Sequence, residues 1–187
     1  TFNFVRQSRA KSFGNNLCLS DFLHDKDWLG CFATWVTGVD EISDFYSRDA
    51  DDYNCILSQS LGDRLAEAAN EYMHKIIRTK LWGYSTENFS NEELILEKYS
   101  GIRPAPGYPA CPDHTQKIKI INWLNISESE VKLTEGLAML PKSAICGWYF
   151  ANKESKYFGL GKIPGKYLDD LESRNPLFAK HRNHLET

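Results

Sequence analysis

The sequence of 187 residues lacks the features that place a protein in a membrane or on nucleic acid. It contains no run of about eighteen apolar residues, the length that a membrane-spanning helix requires. Its 22 Lys and Arg residues are balanced by 25 Asp and Glu residues, so the net charge is −3. This balance leaves no basic stripe for nucleic acid and no attraction to anionic membranes. We therefore expect neither a nucleic-acid partner nor a membrane partner.

Cysteine is sparse and shows neither disulfide nor metal-binding spacing. The five cysteines are odd in number, widely separated and include no C-x-x-C pair. This pattern is typical of reduced thiols in the cytosol rather than of a disulfide framework, so we expect a cytoplasmic protein. The chain begins at Thr1 without a charged and apolar leader, and we expect it to be an internal fragment.

The short motifs of common nucleotide-binding and hydrolytic sites are also missing. There is no G-x-G-x-x-G of a Rossmann fold and no G-x-S-x-G of a serine hydrolase. The five histidines are scattered along the chain. The sequence therefore predicts no pair of nucleophile and base, and we assign no catalytic residue.

Proline, by contrast, is concentrated in one place. Four of the seven prolines fall within residues 101–115, which we call the proline ribbon. Because proline fixes φ near −65° and has no N–H, the ribbon is predicted to be stiff and irregular. It holds a guanidinium at Arg103, an unrestricted backbone position at Gly107 and an aromatic ring at Tyr108. The ribbon is either a rigid surface turn or a preformed small-ligand site in which Arg103 grips a carboxylate.

The distribution of apolar residues predicts an α+β fold. An apolar run at residues 28–36 predicts a buried strand, and extended segments between residues 132 and 163 predict an antiparallel meander. Together they are expected to form a twisted antiparallel sheet packed with helices. The segments of the meander are 132–140, 144–151 and 155–163. We expect residues 1–17 to be a linker and residues 174–187 to be a polar tail.

The longest predicted element is a helix over residues 52–79. Asp51 is a natural N-cap residue, and no proline interrupts the segment that follows. Apolar residues recur every three or four positions and predict a stripe that faces the core. The stripe comprises Leu57, Leu61, Leu65, Ala69, Tyr72 and Ile76. Asp63 and Glu67 stand four apart on a roughly opposite face, where they are either simply solvated or functional.

Three side chains at the end of the ribbon are able to ligate a metal: Cys111, Asp113 and His114. A zinc site would need a second cluster at suitable spacing, and the sequence shows none. We therefore predict no metal here. His114 is expected either to fix the geometry of the loop or to contact a partner domain.

The ribbon sequence RPAPGYPACPDHT resembles the S-adenosylmethionine-binding segment of the activation domain of cobalamin-dependent methionine synthase. The resemblance extends to DDYNCILSQSLGDRLAEAANEYMHK (51–75), LTEGLAMLPKSAICGWYFAN (133–152) and SKYFGLGKI (155–163). These segments follow the order of the family and cover most of residues 27–163. The resemblance implies that residues 1–187 are the C-terminal portion of a single activation domain, which is usually much longer.

The resemblance also implies roles for individual residues. Arg103 matches the position that binds the carboxylate of the ligand, and Glu67 matches the position that binds its amino group. Tyr157 matches a tyrosine near the ligand, and its ring could face the sulfonium cation. Positions that hold the adenosine, partly through the backbone, match Ala105, Gly107 and Tyr108. The docking surface for the cobalamin-carrying domain would comprise Asp63, Asp40, Glu41 and His114.

For function, the resemblance implies that the domain repairs the cobalamin cofactor used in methionine biosynthesis. In this family the domain presents S-adenosylmethionine to inactive cob(II)alamin while flavodoxin or a diflavin methionine synthase reductase supplies an electron, which restores methylcobalamin. The chain would be a domain of 5-methyltetrahydrofolate–homocysteine S-methyltransferase. Cobalamin itself would be carried by a neighbouring domain.

Two other functions remain open. The chain could be a docking module for the reductase and the cobalamin domain without ligand binding of its own. It could also be a self-standing S-adenosylmethionine-dependent methyltransferase. The presence of both Arg103 and Glu67 argues against the first, because docking alone needs no pair that binds a zwitterion. The lack of a glycine-rich strand–turn–helix motif argues against the second.

Overall fold

The computed structural model describes residues 1–8, 14–86 and 88–185, and it has the expected α+β composition. The strands are β1 (Gly30–Trp35), β2 (Lys132–Leu133), β3 (Met139–Leu140) and β4 (Ala144–Tyr149). Strand β1 pairs with β4, and β2 pairs with β3 in antiparallel register. The helices are α1 (Val39–Arg48), α2 (Asp52–Ile76), α3 (Asn91–Ile95), α4 (Gln116–Leu124) and α5 (Gly165–Arg174). Short 3₁₀ segments occur at Leu19–Phe22 and Pro176–His184.

The chain divides into two compact units, each assembled from separate stretches of sequence. The first unit comprises Thr1–Phe32, Ser100–Trp123 and Gly147–Thr187. The second comprises Ala33–Tyr99 and Leu124–Cys146. The proline ribbon and α5 therefore belong to the first unit, whereas α1, α2 and the β2–β3 pair belong to the second. Within the described parts of the chain, no helix is both long enough and apolar enough to cross a bilayer.

Both terminal segments contribute to the core of the first unit. Val5 and Phe178 are buried in a cluster to which α5 contributes Leu168 and Leu171. The N-terminal segment, predicted as a linker, also places Phe2 and Phe4 against the buried ring of Trp148, and its residues 9–13 lie outside the described residues. In the segment predicted as a polar tail, Phe178 and Asn175 are buried, and residues 186–187 lie outside the described residues.

Helix α2 begins where the sequence predicts. The Asp51 carboxylate accepts hydrogen bonds from the backbone N–H of Asn54 at 3.0 Å and from its side-chain amide at 2.7 Å. These hydrogen bonds stabilise the charged form and hold the pKa of the Asp51 carboxyl below its usual range. The predicted helix over residues 52–79 is α-helical to Ile76 and continues as a π-helical turn over Ile77–Leu81.

The face of α2 that packs is not the predicted one. Its buried residues recur every four positions and are Gly62, Ala66, Asn70 and His74. Five of the six residues of the predicted core stripe are exposed instead, with exposed fractions of 41% for Leu57, 57% for Leu61, 59% for Leu65 and 65% for Tyr72, whereas Ile76 is half-buried. The prediction of an internal stripe is therefore wrong within this chain. The residues that α2 buries here are mostly small or polar.

Close packing of α1 on α2 explains why a small residue is buried. A Cβ at Gly62 would lie 2.7 and 2.9 Å from the two methyl carbons of Val39 and 2.5 Å from the hydroxyl oxygen of Ser143. Real Cβ atoms do not approach other atoms this closely. Because β-branched Val39 has one strongly preferred rotamer in a helix, it does not simply turn aside. Glycine at this position thus permits the contact between the two helices.

The strand predictions hold for β1 and β4 but not for the whole meander. Residues 132–140 contain two short strands rather than one, and residues 155–163 contain no strand. The latter segment is hydrogen-bonded to the proline ribbon, where the Leu160 N–H donates to the Pro109 carbonyl at 3.0 Å. The physical reason is that buried backbone N–H and C=O groups need hydrogen-bond partners. For residues 155–163, the irregular proline ribbon can supply such a partner as well as a neighbouring strand can.

Replacing Gly62 with Ala tests the packing of α1 on α2. In an unobstructed helix this change is favourable by roughly 0.5–1 kcal/mol, but here the new methyl group overlaps Val39. We expect the free energy of unfolding, measured by urea denaturation, to fall by about 1–3 kcal/mol. Ser60→Ala, at an exposed position of the same helix, is the control and should change it by less than about 0.5 kcal/mol. A Gly62→Ala chain as stable as its parent would contradict the close approach.

Candidate functional site

The first residues of the proline ribbon are tied to the chain at the end of β4. The Ile102 N–H donates to the Phe150 carbonyl at 3.0 Å, and the Phe150 N–H donates to the Ile102 carbonyl at 2.9 Å. Two residues later, the Pro104 carbonyl accepts the N–H of Trp148 at 3.0 Å. Arg103 lies between these fixed neighbours. Ile102 is buried, and Arg103 beside it is half-buried.

This attachment depends on Gly147 in β4. A Cβ at that position would collide with the carbonyl oxygen of Pro104 and lie 2.9 Å from two carbons of the Phe32 ring. Any side chain would therefore push the ribbon off the strand. The sequence analysis did not identify this residue. A glycine inside an otherwise apolar strand is the signal that could have done so, because it often marks a close backbone approach.

Tyr157 supports the backbone of Arg103. The Arg103 N–H donates to the Tyr157 hydroxyl at 3.0 Å, and 42% of Tyr157 is exposed. The sequence analysis assigned a role only to the ring of Tyr157. The structure adds a role for its hydroxyl, which holds the residue that carries the guanidinium.

A tight turn follows Arg103. The Gly107 N–H donates to the Cys111 carbonyl at 2.8 Å, and the Cys111 N–H donates to the Tyr108 carbonyl at 2.9 Å. Gly107 has φ = +96°, and a Cβ there would lie 2.5 Å from Cε1 of His114. Glycine is therefore required both by the backbone conformation and by the imidazole beside it. His114 thus lies beside the turn, and both roles predicted for it, fixing the loop and contacting a partner domain, stay predictions.

Buried Asp113 anchors the end of the ribbon. One carboxylate oxygen accepts the backbone N–H of Thr115 at 2.9 Å and its hydroxyl at 2.6 Å. The other accepts the side-chain amides of Gln116 at 2.7 Å and Asn175 at 3.3 Å. Gln116 in turn accepts the backbone N–H of Asn3 at 3.1 Å. The ribbon is thereby joined to α4 and to both terminal segments of the first unit.

The cluster of Cys111, Asp113 and His114 is not arranged as a metal site. The oxygens of Asp113 are engaged by protein donors. Burial raises the pKa of the Cys111 thiol, which disfavours the thiolate that a metal requires. Across the described residues, no group of three His, Cys, Asp or Glu side chains is placed to hold a metal ion.

The remaining predicted residues belong to the second unit. Asp63 is exposed on α2, and its carboxylate accepts the hydroxyl of Ser143 at 2.9 Å. Glu67 is partly exposed one turn later, and its carboxylate has no hydrogen bond or ion pair with any described residue. Asp40 and Glu41 occupy the first turn of α1. One carboxylate oxygen of Asp40 is buried. The ligand and docking roles of these four residues stay predictions.

The ribbon and Tyr157 carry groups that can bind a small ligand. Tyr108 and Tyr157 are about half exposed, and the Tyr157 hydroxyl accepts the backbone N–H of Arg103. Ala105 is buried, and its carbonyl accepts the N–H of Tyr108 at 3.3 Å. The arrangement suits an anionic group attached to a flat or cationic body.

Comparison with known proteins identifies the family. The profile of the family described as vitamin B12 dependent methionine synthase, activation domain, matches residues 1–176. A crystal structure of the MetH reactivation domain bound to AdoHcy is similar to this chain, with 42% sequence identity and a TM-score of 0.89. The match covers 96% of this chain and 58% of that chain, so this chain spans less than two thirds of its length. The chain belongs to the activation-domain family of vitamin B12-dependent methionine synthase.

Proposed function

We propose that this chain binds S-adenosylmethionine and presents it for the reductive methylation of cob(II)alamin. The observation that carries the proposal is the attachment of Arg103, whose neighbours are hydrogen-bonded to Phe150 and Trp148 and whose own N–H is held by Tyr157. The similar MetH reactivation domain was crystallised with AdoHcy. AdoHcy is what remains when S-adenosylmethionine gives up its methyl group, so both molecules offer the same carboxylate, amino group and adenosine.

The residues of the chain match these groups chemically. Arg103 is assigned to the carboxylate, which a guanidinium binds through two parallel hydrogen bonds. Glu67 is assigned to the amino group, because its carboxylate is partly exposed and has no partner among the described residues. The ring of Tyr157 is assigned to the sulfonium cation. The adenosine is assigned to the backbone of three ribbon residues, Ala105, Gly107 and Tyr108.

In the proposed reaction the protein positions the reactants and performs no acid–base chemistry. Cobalamin would be carried by a neighbouring domain and, reduced by one electron from flavodoxin or a diflavin reductase, would supply the nucleophile for the methyl group. The carbon–sulfur bonding pair would stay on sulfur, the new bond to the methyl carbon would take its pair from the reduced cofactor, and no proton would move. The residues of this chain therefore contribute by holding the methyl group in line with its acceptor.

Titration calorimetry with S-adenosylmethionine tests the ligand assignment. We expect Arg103→Ala to weaken binding by roughly tenfold to a hundredfold, because hydrogen bonds to charged groups contribute roughly 1.5–3 kcal/mol. Glu67→Gln, which keeps the shape and removes the charge, should weaken binding in the same way. Arg64→Ala and Glu135→Gln, at exposed positions of the second unit, are the matched controls and should bind as the parent does.

A truncated ligand separates the two parts of the site. The nucleoside thioether 5′-methylthioadenosine lacks the amino acid portion, so neither Arg103→Ala nor Glu67→Gln should change its affinity. Equal binding of S-adenosylmethionine by parent and both variants would overturn the assignments. A folded chain that binds neither ligand would instead favour the alternative, a docking module for the reductase and the cobalamin domain.

A second titration asks what the hydroxyl of Tyr157 does. Tyr157→Phe keeps the ring but removes the acceptor of the Arg103 N–H. We expect affinity for S-adenosylmethionine to fall about twofold to tenfold, which corresponds to roughly 0.5–1.5 kcal/mol for one hydrogen bond. Tyr53→Phe, at an exposed position of α2, should have no effect. Unchanged affinity in Tyr157→Phe would show that the hydroxyl does not contribute to binding, and only the role assigned to the ring would remain.

We also propose that Asp63, Asp40, Glu41 and His114 dock the cobalamin-carrying domain. Asp63→Asn keeps an oxygen to accept the Ser143 hydroxyl but removes the charge. We expect it to weaken association of this chain with an isolated cobalamin domain of methionine synthase, measured by fluorescence anisotropy, with the difference shrinking at high salt. Asp44→Asn, at an exposed position of α1, is the control. Identical affinities at low salt would remove Asp63 from the docking surface.

A further inference from the structure

Helix α2 presents a long row of apolar side chains to solvent. We call Leu57, Leu61, Leu65 and Tyr72 the α2 apolar face. Their separations of four, four and seven residues place them on one side of the helix, over about four turns. Each of them is between 41% and 65% exposed. The chain thus leaves uncovered the side of α2 that its sequence marks for burial.

The α2 apolar face is separate from the surfaces of α2 already assigned. Ala66 follows Leu61 by five residues, so it lies about 140° around the helix, on the side that is buried. Asp63 follows Leu61 by two residues and Glu67 follows Leu65 by two, so each carboxylate lies about 160° away. The two α2 carboxylates proposed for docking and ligand binding therefore lie off the α2 apolar face.

A contiguous row of this kind marks an interaction surface. Scattered apolar residues are normal on a protein surface, but large continuous apolar patches are rare unless a partner covers them. An amphipathic helix also gains most of its stability by packing its apolar side rather than from intrinsic propensity. The face suits a partner with an apolar surface of its own, such as a helix packed along α2.

We propose that the α2 apolar face binds the part of a methionine synthase activation domain that this chain does not match. The MetH reactivation domain aligns with 96% of this chain at a TM-score of 0.89, yet this chain covers only 58% of it. A domain packs its elements around a shared hydrophobic core. The remainder of that domain must therefore cover apolar surface on the part common to both chains, and the α2 apolar face is such a surface.

Reconstitution from two polypeptides tests the proposal. The unmatched portion of the MetH reactivation domain is co-expressed with this chain, and assembly is measured by size-exclusion chromatography with light scattering. We expect a one-to-one complex with the parent chain and a complex at least tenfold weaker with Leu61→Glu. Ser60→Glu is the matched control, because it adds the same charge at the neighbouring exposed position on another side of α2, and it should assemble as the parent does.

A measurement on the chain alone keeps the test independent of the added polypeptide. Because Leu61 is 57% exposed, Leu61→Glu should unfold at the same temperature as Ser60→Glu. A lower midpoint for Leu61→Glu would show that the face is packed within the chain, which overturns the proposal. Equal assembly of both variants, or no complex from a folded parent, would overturn it as well. The parent chain could instead form a homodimer that Leu61→Glu disrupts, with no complex of the two polypeptides. That result would show that a second copy of this chain covers the α2 apolar face.

Discussion

The candidate site depends on the contact between the proline ribbon and β4. Proline has no N–H, so the prolines of the ribbon are held through their carbonyls: Pro104 accepts from Trp148 and Pro109 accepts from Leu160. The absence of a side chain at Gly147 lets the first of these contacts form. Stiffness is thus built from two features, prolines that restrict the ribbon from within and hydrogen bonds that fix it from outside. Arg103 takes its position from both.

The buried carboxylate of Asp113 complements that contact at the other end of the ribbon. A buried carboxylate is costly unless donors replace the water it loses. Here the donors come from Thr115, Gln116 and Asn175, and Gln116 also accepts from Asn3. The network gives both terminal segments a place in the first unit. It also explains why Asn175 is buried although the composition around it reads as a polar tail.

The sequence predicted the elements better than their contacts. Local features were enough to predict several elements. An N-cap at Asp51 marks the start of α2, apolar or extended segments mark β1 and β4, and a cluster of prolines marks the irregular ribbon. The hydroxyl of Tyr157 could not be placed in this way, because its partner is the N–H of Arg103, far away in sequence. Residues 155–163 were misassigned for a related reason. An extended pattern shows that a backbone needs partners, but it does not show whether those partners form a strand.

The α2 stripe shows the same limit at the level of the domain. Periodicity identifies the side of a helix that is apolar, and in α2 it did so correctly. Periodicity does not identify which polypeptide covers that side. In this chain α1 packs where Gly62 allows close approach, and Leu61 and Leu65 remain in solvent. If the unmatched part of an activation domain covers them, the stripe predicted from the sequence belongs to the core of that domain. The stripe residues exposed in this chain are then core residues whose packing partner lies in the unmatched part.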